Sequence, residues 1–483
     1  MEKIYISSLY SLSILVIVGS FFIILGHLTI KKKFNNSHYI VGNRDEGSFA
    51  LISSMTASAL GAWILFGPAS AATWGGMGAV IGYSLGTAAP MIFLYNFGPK
   101  IRKELPKGLS LTEFIKKRFG NKILKMCLFL IIFYLTIFLI AEVTAISSLL
   151  NYISKTPLWI TSALTLTICL LYVLRGGFKS TILTDKYQFI FIIIIIISSF
   201  FLILGNLETS SYELIKKNSS NLVSKNYLPN YTSFLTFFIA VSATNLFHQG
   251  NWQRVFSAKN NGILKSSLIW SSIITFLIVF WFGYTGLISL SINSKIVPDL
   301  AFFEIIFRDQ NFFIISIVLI LALSLTFSTI DTLINAISSL IIVNNSEISN
   351  NWNAWNVKLK SNIIILFLCI ITFLLASKGY SILYLFLLAD LFCCAAVITI
   401  FYSFFKKSIN SKIAFFSISS GLFSGLLFFP SQNFQNSILV GNLVSKDFFN
   451  EFILSNLLFV SFVVAIIIPL LIHLIYSFRN SLR

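Results

Sequence analysis

Ser324, Ser328, Asp331, Asn335 and Ser338 recur at intervals of four, three, four and three residues within SLTFSTIDTLINAISS (324–339). Such spacing sets side chains on one face of a helix. This face therefore carries hydroxyls, a carboxylate and an amide. The surrounding apolar run, 312–343, is long enough to cross a bilayer. Hydroxyls alone would be unremarkable there, because Ser and Thr bond back to their own helix. A carboxylate at membrane depth is costly and needs a partner, a cation or water. The stripe points to a hydrophilic path or an ion site inside a membrane bundle.

Two more carboxylates interrupt apolar runs: Glu142 within FLIAEVTAISS and Asp390 within LFLLADLFCC. Each has two readings, a protonated group bonded to a neighbour or a group that contacts a solute or carries a proton. Asp185 stands at the inner end of its helix, either in a gate with Arg175 or Arg254 or in a surface pair. Residues 53–76 (SSMTASALGAWILFGPASAATWGG) are unusually rich in Gly, Ser and Ala and contain Gly67-Pro68. Small residues pack helices closely. They also suit an unwound helix whose freed carbonyls line a cavity, where irregular backbone is tolerated. In 242–259 (SATNLFHQGNWQRVFSAK), Thr244, Asn245 and His248 break the apolar pattern. Gln249–Arg254 reads as the polar inner end of a helix, and Asn245 lies deeper.

The elements that must hold these residues are membrane helices. The chain has 483 residues, 56% hydrophobic and 11% charged, with mean hydropathy +0.86. That composition excludes a soluble domain and predicts an all-α polytopic membrane protein, a single domain spanning 1–483. The net charge of +18 does not indicate a nucleic-acid partner, because the basic residues sit in short loops between apolar runs. All five cysteines fall within apolar runs, and the four histidines show no metal-ligand spacing. Apolar spans fall at about 8–30, 47–73, 77–97, 124–150, 158–174, 184–205, 234–249, 264–290, 312–344, 361–377, 380–405, 411–430 and 452–478. With the N-terminus outside, 26 of the 35 basic residues fall inside. This alternation predicts thirteen transmembrane helices, N-terminus out and C-terminus in. The basic stretch 99–121 predicts a short amphipathic helix at the inner surface. The outer loop 206–233 holds two sequon matches, at Asn218 and Asn230. The interrupted spans are the second and seventh, which run in opposite directions. That arrangement points to a transporter built from inverted repeats, with its site near the midplane.

Four segments resemble the sodium/solute symporter family of sodium-coupled proline, pantothenate, urea and sugar transporters. They are Gly108–Phe114 followed by Lys117–Gly120; Gly176–Ser180 with Thr184, Asp185 and Gln188; Trp252–Val255 with Ala258 and Lys259; and Ser328–Ile334. They occur in the family's order across 45–345. The resemblance implies a leucine-transporter-like fold of five-plus-five inverted repeats. Residues 1–46 would be an extra helix and loop, 47–205 the first repeat, 206–405 an outer loop and the second repeat, and 406–483 two trailing helices. It also implies a sodium site built from the hydroxyls of Ser328 and Thr329 and the carbonyls of Ala57, Leu60 and Leu325. Neutral oxygens at fixed spacing can replace part of a hard cation's water. The chain departs from some members at Ala59, where those carry an aspartate. Asp331 is then expected to serve structurally or to support the sodium-binding hydroxyls.

For the solute, the candidates are Trp63, Tyr83, Thr244, Asn245 and Asp390, since aromatic faces with a few polar anchors suit a small polar nutrient. Asp185, Arg254, Asp331 and Glu142 are expected to gate or support. The expected activity is sodium-coupled import by alternating access in the plasma membrane (the inner membrane in a bacterium), with Na+ as coupling ion and no organic cofactor. Proton coupling through Glu142 or Asp390, or a passive facilitator, are the alternatives. An enzyme is not expected, because no paired His/Asp or metal cluster lies near the inner surface. The partners are a small polar solute and the lipid bilayer, and the oligomeric state is left open, a monomer included.

Overall fold

Helix ends in this chain are set by short polar residues placed before apolar runs, as N-cap chemistry requires. Ser7 caps α1 (Ser8–His27) by accepting the Tyr10 N–H at 3.2 Å. After α2 (Asn36–Val41) and α3 (Ser48–Ala59), Gly67 opens α4 (Gly67–Glu104). Ser110 and Glu113 form a capping box at α5 (Leu111–Phe119), which leads into α6 (Asn121–Ser154) and α7 (Leu158–Gly205). The connection after α7 contains α8 (Ser211–Asn218), before α9 (Leu228–Phe247) and α10 (Gln249–Ser257). Asn260 caps α11 (Asn261–Ile292), and α12 (Ala301–Ile306) precedes α13 (Phe312–Val343), capped by Asn311. The remainder comprises α14 (Asn345–Ile348), α15 (Val357–Ala376), α16 (Ile382–Tyr402), α17 (Ser411–Phe428), α18 (Glu451–Ser455) and α19 (Leu457–Ser481).

The computed structural model describes residues 5–28, 36–205, 210–308, 311–348, 356–405, 409–432, 434, 436–439, 441 and 451–481. Lys31–Lys33, Lys406, Lys407 and Arg483, part of the charge count above, lie outside the described residues. Among the described residues, ten helices are long and apolar enough to cross a bilayer. Two of these, α4 at 38 residues and α7 at 48, far exceed the roughly 20 residues one crossing needs. Each is interrupted by a glycine with positive φ, Gly76 (φ 62°) and Gly177 (φ 60°). That backbone conformation is open to glycine at little cost. At Gly177 a Cβ would also lie 2.4 Å from the Tyr39 ring.

α15 shows how the bundle divides between lipid and protein. Leu366, Phe367, Ile370 and Leu374 are exposed, whereas Ile365, Cys369, Thr372 and Ala376 are buried. α13 lies at the opposite extreme, packed against α3, α6, α7 and α15. Every member of its polar stripe is buried. α5 lies in the 99–121 stretch, although α4 extends to Glu104 before it. Both sequon asparagines use their amides internally. Asn218 donates to the Ser291 carbonyl (2.9 Å), and Asn230 accepts from Gly78 N–H (2.8 Å) and donates to Ser224 O (2.9 Å).

Candidate functional site

Two helices lose their hydrogen-bond ladder in the interior of the bundle. α3 stops at Ala59; Leu60 (φ −108°, ψ 88°) and Gly61 (φ −84°, ψ −178°) are non-helical, and a single 3-10 turn, Ala62–Leu65, leads into α4. Residues 60–66 are all buried, so their freed N–H groups need acceptors. Glu142 on α6 supplies one, its Oε2 accepting the Ala62 N–H at 2.8 Å. This carboxyl group caps the break. A Cβ added at Gly61 would lie 2.0 Å from Glu142 Oε1 and 2.7 Å from Trp63 Cδ1. Gly61→Ala is therefore expected to destabilise by about 1–3 kcal/mol. Gly47→Ala, where nothing lies within 4 Å, should leave the melting temperature of the purified protein unchanged.

The second break is at His248 (φ −63°, ψ 110°), between α9 and α10. Side chains of α10 return to carbonyls at the end of α9: Trp252 Nε1 donates to Leu246 O (2.8 Å) and Asn251 Nδ2 to Asn245 O (2.9 Å). His248 Nδ1 accepts the Gly250 N–H at 3.1 Å. All nine residues of α10 are buried. Gln249–Arg254 thus form a separate buried helix, which corrects their reading as the polar end of a continuous one.

Between the breaks lies a cavity lined by Ser58, Ala59, Trp63, Tyr83, Phe138, Val241, Thr244, Asn245, His248, Thr329, Phe386 and Asp390. The five residues expected to contact solute (Trp63, Tyr83, Thr244, Asn245 and Asp390) all belong to it. Trp63 and Tyr83 stack with centroids 5.3 Å apart, and Phe386 meets Trp63 edge-on at 6.2 Å and Phe138 at 4.7 Å. Asp390 Oδ1 accepts from Thr244 Oγ1 at 2.6 Å. The sequence reading missed Phe138 and Phe386, yet each stands four residues before an intramembrane carboxylate, on the same helical face. It also missed Ser58, Val241 and His248 as cavity walls.

Beside the cavity is a buried charge cluster. Arg254 Nη2 meets Asp185 Oδ2 at 2.9 Å with both side chains essentially inaccessible. The alternative of a surface pair for Asp185, or a pair with Arg175, does not hold. Arg254 also donates to Ser54 Oγ (2.8 Å), Gly250 O (2.9 Å) and Thr332 Oγ1 (3.2 Å). Ser54 donates to Asp185 Oδ2, and Ser328 donates to Asp185 Oδ1 at 2.6 Å. A hydroxyl that gives its proton to a carboxylate keeps its lone pairs free for a cation. Asp331 instead accepts from Tyr172 and Thr184, each at 3.0 Å, so the carboxylate bonded to a candidate sodium ligand is Asp185. Thr329 is buried on the cavity wall, and among the described residues its Oγ1 has no hydrogen-bond partner. Ala57, Leu60 and Leu325 are fully buried, and α13 packs against both α3 and the turn at 62–65. An unpartnered buried hydroxyl facing unwound backbone fits a hard monovalent cation.

Polar contacts strap the bundle at both ends. At one, Asp299 accepts from Ser70 at the start of α4 (2.9 Å) and from Ser381, the N-cap of α16 (3.5 Å). Burial pushes its carboxyl up, against the lowering effect of those two hydroxyls. At the other, Lys179 meets Asp45 at 2.8 Å and Glu46 at 2.5 Å. Its hydrogen bond holds the Asp45 carboxyl below the usual range. Arg44 donates to the carbonyls of Pro106 and Gly108, and Gln249 to that of Leu109.

Broken helices beside a cavity lined by aromatic and polar side chains are the pattern of a membrane transporter. The family model of the sodium:solute symporter family matches residues 39–421, and the chain belongs to that family. It is 25% identical to the spermidine transporter DUR31 of Candida albicans over 392 residues, 79% of this chain and 72% of that one. It is 28% identical to the sodium/proline symporter of Haemophilus influenzae over 223 residues (44% and 43%). It is 27% identical to the high-affinity proline transporter PutP of Bacillus subtilis over 179 residues (34% and 36%). A solved Na+-coupled sialic acid symporter shares the fold, with TM-score 0.70 at 16% identity over 95% of this chain and 98% of that one. So does the nucleobase-cation-symport-1 family transporter Mhp1, with TM-score 0.53 at 14% identity over 91% and 95%. The protein is a multi-pass transporter of the plasma membrane, not an enzyme.

Proposed function

We propose that this protein is a sodium-coupled symporter that imports a small polar organic solute by alternating access. The observation that carries this reading is the adjacency of two unlike sites. Thr329 lines the solute cavity, and its hydroxyl has no hydrogen-bond partner among the described residues, while its neighbour Ser328 is bonded to Asp185. Sodium is held by Ser328, Thr329 and the carbonyls of Ala57, Leu60 and Leu325. The solute is held by Trp63, Tyr83, Thr244, Asn245 and Asp390. Asp185, Arg254, Asp331 and Glu142 position these groups and take part in gating. Two bound species beside the same broken helix stabilise the same arrangement of α3 and α13, and that shared preference is the coupling. Relatives that carry spermidine and proline support an organic solute of nutrient size.

The architecture we propose has thirteen spans with the N-terminus outside and the C-terminus inside. Dividing α4 at Gly76 and α7 at Gly177, and counting α3 with the first turns of α4 and α9 with α10 as one broken span each, supports that number. Residues 47–205 and 206–405 would form the two inverted repeats, 1–46 the leading element and 406–483 the trailing one.

Each sodium entering across 100 mV contributes about 2.3 kcal/mol, enough for a roughly 50-fold solute gradient at 1.4 kcal/mol per tenfold. In proteoliposomes offered labelled proline, spermidine and urea, at least one should accumulate above its outside concentration when sodium is high outside. Collapsing the sodium gradient should abolish that accumulation. Uptake that follows a proton gradient without sodium would move the coupling to Glu142 or Asp390. Equilibration without accumulation would make the protein a facilitator.

A further inference from the structure

We infer that the solute is recognised as a protonated amine, its ammonium paired with Asp390 against the Trp63–Tyr83 stack, and that it carries no carboxylate. This rests on the reading of the cavity as the solute site. The lining includes one carboxylate and no Lys or Arg. Asp390 is 3% exposed, and its Oδ1 is met by the Thr244 hydroxyl. Among the described residues, the close ion pairs are formed by Lys116, Lys179 and Arg254, none of them with Asp390. A buried carboxylate with a neutral partner is compensated either by a proton or by a cation that enters the cavity.

The rest of the lining suits a cation as well. Trp63 stacks on Tyr83, which also stacks on Phe237, so the indole of Trp63 is the aromatic surface offered to an ammonium group in this cavity. Asn245 spends one of its two amide N–H groups on Val241 O (2.9 Å), and its carbonyl remains an acceptor. Ser58 donates to Ser54 O (2.6 Å) and likewise keeps lone pairs. An ammonium brings three donors and no acceptor, the complement of these groups.

An anionic solute lacks the usual receptor. Backbone N–H groups at a helix break can hold a carboxylate, but at this break Glu142 accepts the Ala62 N–H. Arg254, the buried cation beside the cavity, is taken up by Asp185, Ser54, Gly250 and Thr332. A solute carboxylate would instead meet Asp390.

The test uses the full chain in nanodiscs, titrated with putrescine, proline, urea and lactate, with and without sodium. Putrescine should bind most tightly, and lactate not at all. Asp390→Asn should weaken putrescine roughly 30-fold, the loss of a charge-assisted bond, while sodium still stabilises the variant as it does the wild type. Trp63→Leu should weaken putrescine roughly tenfold. Absence of putrescine binding, tighter binding of proline, urea or lactate, or equal putrescine affinity in Asp390→Asn would overturn the inference. The two readings fail separately: a wild type that sodium does not stabilise strikes at sodium coupling, whereas the putrescine titration is read in either medium.

Discussion

Arg254→Met should abolish transport and destabilise the protein by about 3–5 kcal/mol, because it leaves Asp185 as a buried carboxylate without its cation. The effect is large because Arg254 compensates more than one group: Ser54, Gly250 and Thr332 also lose a donor. Adding Asp185→Leu removes the uncompensated charge. The double variant should recover most of the melting temperature, since apolar replacements of a buried pair are often neutral or stabilising. It should not recover sodium-dependent uptake, because Ser328 then has no carboxylate to orient its hydroxyl. Thermal unfolding and uptake measured on one set of preparations separate the two effects. Equal melting temperatures for Arg254→Met and the wild type would show that the pair does not hold the bundle together.

The second large effect is expected at Thr329, whose hydroxyl has no partner among the described residues. Thr329→Ala therefore breaks no bond in the sodium-free protein and should fold with near wild-type stability. It removes a neutral oxygen from the sodium site, and the sodium concentration for half-maximal uptake should rise roughly tenfold, about 1.4 kcal/mol. Ser328→Ala is a less clean probe, since it also takes a hydrogen bond from Asp185. A Thr329→Ala protein with unchanged sodium dependence and reduced stability would make this hydroxyl a packing group.

Hydropathy and small-residue composition made much of the bundle legible, including the interruption between Leu60 and Gly67. The spans that end near 73 and 174 stop close to Gly76 and Gly177, where the backbone leaves the helical region. Nothing in a list of residue types distinguishes a glycine used for positive φ from one used for close packing. The stripe on α13 was visible from its spacing, and its members are all buried. Which carboxylate lies across from Ser328 was not visible. Spacing along one helix shows which of its residues share a face, but not which residue of a second helix meets them. Asp331, expected to serve structurally or to support those hydroxyls, accepts from Tyr172 and Thr184, and Asp185, from α7, is the group bonded to Ser328. Likewise the spacing around Glu142 does not show that it meets the Ala62 N–H. The motif around Gly108 has a physical use that the sequence did not disclose: its carbonyls receive Arg44 and Gln249.

Equilibrium binding of radiolabelled sodium to the purified protein tests the cation pocket between α3 and α13 most directly. Saturable binding that weakens about tenfold in Thr329→Ala, and is nearly lost when Ser328→Ala is added, is the predicted result. Saturable binding that both variants leave untouched, or none in the wild type, would contradict it.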